Sequence, residues 1–303
     1  NAIIKDGRIS AVYVPGNHDV DFSCSIAGAI FPGIAQARDS EGVGTYRTGS
    51  RKEIVIEHGH RYNVFCAPDC LTDTNLRKGE TLMGPGYFYT RIAATSLKTG
   101  HNPRGFSFPD FGLPEKPSES VLNAYKLYKV WDLATQTIGV ANMTFESKVI
   151  PCGIAGYADY YAFSDLVPLY RDGALTKTLF ENIDANWQNL QIINRVNSLQ
   201  EYGPAVIEAA SLEATDAKSI SDYFKVDPTV DVVVFGHTHA PRLDKNQGGF
   251  AGKTYVNTGT WIDHNLDGDK STRTYVKLVS GAQEDQVSLW SYETDGSSLL
   301  KAQ

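Results

Sequence analysis

The chain has few cysteines and no long apolar run, and these absences exclude several classes of protein. Four cysteines in 303 residues are too few for a disulfide scaffold. The longest strongly apolar run, residues 230–235, is interrupted by Asp231. It is far shorter than the roughly 18 residues that a membrane span needs. No basic-then-apolar leader opens the chain. We therefore expect no membrane-spanning helix.

An excess of positive charge is also missing. The 28 Lys and Arg residues are outnumbered by 35 Asp and Glu residues, and the formal net charge is -7. This balance argues against nucleic acid as the main partner. Hydrophobic residues make up 42% and charged residues 21%, which is an ordinary globular composition. The length is sufficient for one large domain with a real core.

Two short apolar runs rich in β-branched residues predict buried central strands at residues 54–57 and 231–235. Another strand is predicted at residues 9–14, close to the start of the chain. Further strands are predicted at residues 253–257, 274–279 and 286–292. The last two alternate in polarity across a Ser-Gly turn and are expected to form an antiparallel pair.

The middle of the chain has a different character. Residues 84–117 are rich in Gly, Pro and aromatics and show no period, which predicts a long ordered loop that serves as a lid or simply packs on itself. Amphipathic spacing predicts helices at residues 118–136, 183–196 and 216–224. We therefore predict a single domain over residues 1–303 with a mainly helical and loop insertion, or cap, over residues 67–228.

Five of the seven histidines lie in three short motifs, each directly after a predicted strand. The motifs are Gly16-Asn17-His18-Asp19, His58-Gly59-His60 and Gly236-His237-Thr238-His239. Loops at the carboxyl ends of neighbouring strands converge, so these side chains are expected to share one site. Imidazole and amide ligands favour Zn, Mn, Fe or Co over Ca. No cysteine accompanies them, which argues against a closed structural zinc site.

In their order and spacing, these motifs resemble those of the calcineurin-like metallophosphoesterases. The run from Tyr255 to Trp261 is also similar to the strand and turn that follow the last histidine motif in that family. The resemblance implies an α/β fold, a layered β-sandwich flanked by helices, with a dinuclear metal centre at one end. It does not extend to residues 67–228.

The resemblance also implies a role for each motif residue. Asn17, His58 and His237 would bind one divalent ion, and His239 would bind a second; Mn, Fe, Zn or Co would suit these ligands. His18 would lie over the phosphate and protonate the leaving oxygen. A metal-activated hydroxide would attack phosphorus. The implied activity is that of a phosphatase or phosphodiesterase.

Four further residues are candidates for supporting a ligand or touching substrate: His60, Asp19, Asn257 and Arg91. Asp19 is interpreted as a structural turn residue, because an Asp there can bond the nearby backbone. Arg91 offers a guanidinium that suits a phosphate, although a surface arginine is the simpler interpretation. The expected substrate is a small-molecule phosphoester, with lipid and nucleotide esters both open.

The family pattern also includes an Asp-x-His and a Gly-Asp motif before the first motif found here, and neither is present in residues 1–15. Three ligands, among them the bridging carboxylate, are thus missing, and a chain without them is expected to be impaired. We expect that an N-terminal part of a longer protein is absent. The alternatives are a degenerate homologue acting as a binding or scaffold protein, and a mononuclear zinc hydrolase. The oligomeric state and the localisation stay open, with the cytoplasm slightly favoured, since a signal peptide could be lost with that part.

Overall fold

The computed structural model describes residues 6–19, 22–39, 42–72, 83–99, 107–138, 144–153, 157, 159–209, 211–261, 273–281, 284–293 and 296–302. These residues form a mixed α/β structure, which confirms the predicted class. The chain divides into two compact units. The first unit contains residues 1–62, 194–198 and 211–303, and the second contains residues 63–193 and 199–210. The single domain with an insertion over 67–228 stays a prediction.

The elements follow one another along the chain as strands and helices of modest length. The strands are β1 (Val12–Tyr13), β2 (Ala35–Gln36), β3 (Thr45–Thr48), β4 (Ile54–Glu57), β5 (Ile150–Pro151), β6 (Tyr160–Tyr161), β7 (Tyr170–Arg171), β8 (Ala174–Leu175), β9 (Val232–Phe235), β10 (Arg242–Lys245), β11 (Thr254–Asn257), β12 (Thr274–Val279), β13 (Gln286–Glu293) and β14 (Gly296–Ala302). The α-helices are α1 (Cys24–Ile30), α2 (Gly86–Thr99), α3 (Glu119–Ile138), α4 (Ile183–Ile193), α5 (Tyr202–Glu208) and α6 (Leu212–Ser219). No helix among the described residues is long and apolar enough to cross a membrane.

The first unit is built on a five-stranded sheet with the order β10-β11-β9-β4-β3. The central strands β11, β9 and β4 run parallel, and the outer strands β10 and β3 are antiparallel to their neighbours. Every residue of β9 is buried, as expected for an apolar, β-branched strand covered on both faces. The strands predicted at residues 54–57 and 231–235 are confirmed as β4 and β9.

The two faces of this sheet are covered by different layers. On one face, Val232 and Val234 belong to a core that includes Val287 and Leu289 of β13, so a second sheet packs here. That sheet has the order β12-β13-β14 and is antiparallel throughout, which confirms the predicted pairing of residues 274–279 with 286–292. The opposite face packs against Phe224 and other residues outside the sheet. The predicted β-sandwich with helical cover is therefore confirmed for the first unit.

The strand predicted at residues 9–14 is too long. Only Val12 and Tyr13 pair, and they pair with Ala35 and Gln36 of β2, in parallel. The partner strand has two residues, so the ladder cannot extend over the whole apolar run. The first histidine motif follows this short two-stranded sheet rather than a strand of the central sheet.

The long loop predicted at residues 84–117 is wrong for residues 86–99, which form helix α2. Phe88 and Ile92 are one helical turn apart, and both are almost fully buried. The Gly and Pro residues at its start favour a loop, so the sequence pattern did not predict the helix. A Cβ on Gly86 would lie 2.8 Å from the carbonyl oxygen of Phe65, so close approach of backbone explains the glycine. Residues 100–106 of the predicted loop lie outside the described residues.

The aromatic residues of that segment belong to the core of the second unit. Phe88 contacts the rings of Tyr157, Tyr161 and Phe180 with centroids 5.3–6.1 Å apart. Phe108 and Phe111 are also buried. Packing, rather than a lid, accounts for these rings. The predicted helices at 118–136 and 183–196 are observed as α3 and α4, and the one at 216–224 as the end of α6 and a π-helical turn, Ile220–Phe224.

Candidate functional site

Two of the three histidine motifs directly follow strands of the central sheet, and these strands end at the same edge. Strands β4 and β9 are parallel neighbours, with Ile56 opposite Val234. Strand β11 runs parallel to β9 on its other side, and Asn257 at its end is opposite Phe235. The residues that follow these strands therefore converge at the carboxyl edge, which is where sites form in α/β sheets.

Asn17 joins the first motif to the other two. Its Oδ1 atom lies 2.9 Å from Nε2 of His58 and 3.3 Å from Nδ1 of His237. The two rings are 5.4 Å apart between centroids. The structure thus brings together three of the four residues predicted as metal ligands, although 41 and 220 positions separate Asn17 from its two partners.

The turn that carries His237 and His239 is strained and held in place. Both residues have positive φ, 63° and 62°, a region that costs a non-glycine residue about 1–3 kcal/mol. Asn257 opposes this strain, since its Nδ2 donates to the carbonyl of Gly236 at 2.8 Å and to Oγ1 of Thr238 at 3.0 Å. Asn257 is fully buried, so the structure places it as a support of the turn.

His60 lies against His58 but is buried. Its ring centroid is 5.2 Å from that of His58, and its side chain is 2% exposed. Nε2–H donates to the carbonyl of Gly42 at 2.6 Å, which sets the tautomer. Nδ1 has no hydrogen-bond partner among the described residues. His60 therefore presents a lone pair within the buried part of the site.

Asp19, which was predicted as a turn residue and as a possible support for a ligand, places its carboxylate beside the cluster. Its Oδ2 accepts a hydrogen bond from the Gly16 amide at 2.8 Å, which closes the turn. A Cβ on Gly16 would lie 3.2 Å from both that oxygen and the ring of His58. A larger residue at position 16 would therefore crowd these two side chains. The negative charge of Asp19 acts on His58 and favours its protonated form.

Burial dominates the ionisation of the clustered histidines. It lowers the pKa of His58 to about 4, despite the opposing charge of Asp19. Burial also lowers the pKa of His60 and of His237 well below the usual range. Charge on His18 and His239 lowers the pKa of both His58 and His237. The side chains of His18 and His239 therefore lie close enough to the cluster to interact with it electrostatically. At neutral pH the buried rings are neutral, which is the form that binds metal.

We expect the metal-free protein to lose stability as the pH falls from about 6.5 to about 4. A histidine in the unfolded chain has a pKa near 6.5, so in this window the unfolded state binds the proton that folded His58 excludes. The expected slope is at most about 1.4 kcal/mol per pH unit from this one group. Urea unfolding in EDTA at several pH values measures it. The variant His58→Gln should show a smaller slope, and an unchanged slope would contradict the assignment.

The cluster fits one divalent ion in spacing and in donor type. Donors about 2.1 Å from a metal lie roughly 3.0–3.4 Å from each other. Asn17 Oδ1 is within hydrogen-bond distance of both ring nitrogens, and its separation from His237 Nδ1, 3.3 Å, lies in this range, whereas its separation from His58 Nε2, 2.9 Å, lies just below it. The three donors in this comparison are the amide oxygen of Asn17 and one imidazole nitrogen each of His58 and His237. Within the described part of the chain, no group of three or more His, Cys, Asp or Glu side chains is arranged to hold a metal ion.

Arg91, the remaining candidate, belongs to the second unit. It lies on α2, where its Nε donates to the hydroxyl of Tyr87 at 3.0 Å and its guanidinium lies 5.0 Å from the centre of that ring. This contact within its own helix accounts for its position. The four cysteines, all described, are not joined to one another by disulfides.

Comparison with known proteins gives limited similarity. No protein-family model and no characterised protein sequence matches the chain. Two solved structures of Vps29 from Entamoeba histolytica are similar in part. The complex with Zn²⁺ is 16% identical over 31% of this chain and 47% of that chain, with a TM-score of 0.23. A double mutant is 15% identical over 32% of this chain and 48% of that chain, also with a TM-score of 0.23.

The match spans about half the length of each Vps29 chain. At this TM-score and identity, the match carries no argument about metal binding or activity.

Proposed function

We propose that the protein is a metal-dependent phosphoester hydrolase. The observation that carries the proposal is the position of Asn17 Oδ1, 2.9 Å from a nitrogen of His58 and 3.3 Å from a nitrogen of His237. Three donors from distant parts of the chain meet at metal-ligand spacing, and burial keeps both rings neutral. The resemblance of the motifs to the metallophosphoesterases supports the reaction class.

In this proposal Asn17, His58 and His237 hold one divalent ion, and His239 contributes to a second. When bound, such ions would polarise the phosphoryl group and activate water for in-line attack. The strained turn held by Asn257 orients His237 and His239 before any ion arrives. Asp19 supplies a negative charge beside His58 and partly offsets the charge of a cation.

His18 is exposed at the rim of the cluster and is the proposed proton donor. In hydrolysis, a P–O bond forms to the oxygen of water and the ester P–O bond breaks. The leaving oxygen takes the proton of His18, and the attacking water releases a proton to solvent. The proposed substrate is a small-molecule phosphoester, which includes lipid and nucleotide esters.

Turnover of a chromogenic phosphodiester tests the proposal, with the protein expressed from its native gene. Activity should depend on Mn²⁺ and should vanish in EDTA. We expect His58→Ala, which removes a proposed ligand, to lower turnover by at least the roughly 10–100-fold that is typical of losing an outer partner of a metal ligand. Tyr160→Ala, an exposed position in the second unit, serves as a control that leaves turnover unchanged. Equal turnover by wild type and His58→Ala would remove the site assignment.

A second candidate is a binding or scaffold protein that keeps the fold without catalysis. It is favoured by the shortage of acidic ligands around the cluster, where the three donors that meet are an amide and two neutral imidazoles. Among the described residues, no group of three or more Asp, Glu, His or Cys side chains could hold a metal ion. Elemental analysis of the purified protein discriminates the two. Near-stoichiometric metal supports the hydrolase, whereas absence of bound metal together with no hydrolysis supports the scaffold.

A further inference from the structure

The outer face of the β12-β13-β14 sheet carries a group of aromatic rings that are exposed or half-buried. Side chains alternate along a strand, and Val287 and Leu289 of β13 point into the core. Ser288, Trp290 and Tyr292 therefore point outward. We call Tyr275, Trp261, Trp290 and Tyr292 the aromatic face; all four belong to the first unit.

Trp290 and Tyr275 lie side by side on neighbouring strands. Nε1–H of Trp290 donates to Oγ of Ser288 at 2.8 Å, two residues back along the same strand, so the indole lies along the sheet. Tyr275 is directly opposite on β12. Its ring is 6.5 Å from that of Trp290, with only 18° between the planes. The two rings are therefore nearly parallel to each other.

A second pair extends this surface. Tyr292 follows Trp290 on the same side of β13, and its ring is 6.3 Å from that of Trp261, with 33° between the planes. Trp261 is 64% exposed and Tyr292 is 50% exposed. Leu299 of β14, opposite Trp290, is 51% exposed. Large exposed apolar groups gathered on one face indicate a binding surface.

The size of the face argues against a stable protein partner. Three strands about 4.8 Å apart and seven residues long present roughly 300–350 Å². A standard protein interface buries about 800 Å² on each partner. The face is large enough for a few units of a chain-like ligand with flat rings.

The charge of the face argues against nucleic acid. Among the described strand side chains on the outer side of this sheet, the charged one is that of Lys277. Proteins that bind single strands combine stacked aromatics with a basic groove along the phosphates, whereas this chain has a net charge of -7. A pyranose ring presents a flat face of C–H groups, which the electron-rich face of an aromatic ring attracts. Its hydroxyls can exchange hydrogen bonds with Lys277 and Ser288.

We propose that the aromatic face binds a neutral carbohydrate chain by stacking of sugar rings on Trp290, Tyr275, Trp261 and Tyr292. This binding is independent of the metal cluster and of the proposed hydrolysis.

Calorimetric titration with cellohexaose, chitohexaose and maltohexaose tests the proposal. We expect measurable affinity for at least one of them and a loss of about tenfold in Trp290→Ala. Because Trp290 is partly buried, Trp261→Ala and Tyr292→Ala, at more exposed positions, are measured alongside and should each weaken binding with an unchanged melting temperature. Tyr160→Ala, which removes a 62% exposed tyrosine from the second unit, is the matched control.

Two results would overturn the proposal. The first is no binding of any of the three sugars; in that case retention of a single-stranded oligothymidylate or of phosphatidylserine vesicles would assign the face to another ligand. The second is equal affinity in the wild type and in the Trp261 and Tyr292 variants.

Discussion

Replacing His18 by Ala is expected to lower kcat for a phosphodiester with an alkyl leaving group by about 10²–10⁴-fold, the usual contribution of a general acid. An alkoxide is too basic to depart without a proton, and His18 is the exposed imidazole beside the cluster. Steady-state kinetics with saturating Mn²⁺ measures the change. The melting temperature should be unchanged, because the side chain is exposed.

Comparing two esters that differ in their leaving group distinguishes proton donation by His18 from simple binding of the phosphate. With a nitrophenyl ester, whose leaving group departs without a proton, the loss in His18→Ala should be much smaller. His18→Asn keeps a hydrogen-bond donor but carries no acidic proton, so it should behave like His18→Ala if the residue is the acid. The assignment fails if Asn restores the alkyl ester activity or if both esters lose activity equally.

Replacing Arg61 by Met is expected to lower the free energy of unfolding by about 3–5 kcal/mol, the usual result of removing one partner from a buried ion pair. Arg61 is 3% exposed and directly follows the His58-Gly59-His60 motif. Its guanidinium lies 2.8 Å from the carboxylates of Glu57 and Asp39. It also donates to the carbonyl of Asn194 at 3.0 Å.

The cost arises chiefly at Glu57, which is buried and also accepts from the hydroxyl of Tyr223. Burial raises the pKa of Glu57, and the neighbouring Arg61 charge opposes that effect. Without the guanidinium the carboxylate is left uncompensated.

Urea unfolding of two further variants checks this explanation. Arg51→Met breaks a half-exposed pair with Asp231 and should cost less than about 1 kcal/mol. The double variant Glu57→Gln/Arg61→Met should recover part of the loss, since it removes the orphaned charge. A cost below about 1 kcal/mol for Arg61→Met, or no recovery in the double variant, would contradict the role of this buried pair.

The sequence predicted the central strands and the motifs that follow them because both depend on short stretches of chain. Within residues 231–235, the four residues after Asp231 are apolar and three of them are β-branched. This pattern is typical of a strand that is buried on both faces. The alternation in residues 274–279 and 286–292 is also a local pattern, and it correctly predicted an antiparallel pair.

Helix α2 shows where local reasoning failed. Its two buried apolar residues, Phe88 and Ile92, are helical in spacing, but Gly84, Pro85 and Gly86 precede them and favour a loop in isolation. The glycines are explained by backbone that approaches from elsewhere in the second unit. Strands β3 and β10 were missed for a similar reason, since edge strands with polar residues are stabilised by their neighbours in the sheet.

The sequence by itself determined which residue types could carry the chemistry and which strands would present them. Only the tertiary structure decided that Asn17 would meet both His58 and His237, that Asp19 would act on His58, and that Asn257 would hydrogen-bond the turn of the last motif. The physical reason is that these contacts join parts of the chain up to 220 positions apart. Their distances are set by the pairing and packing of the strands, and no local pattern encodes them.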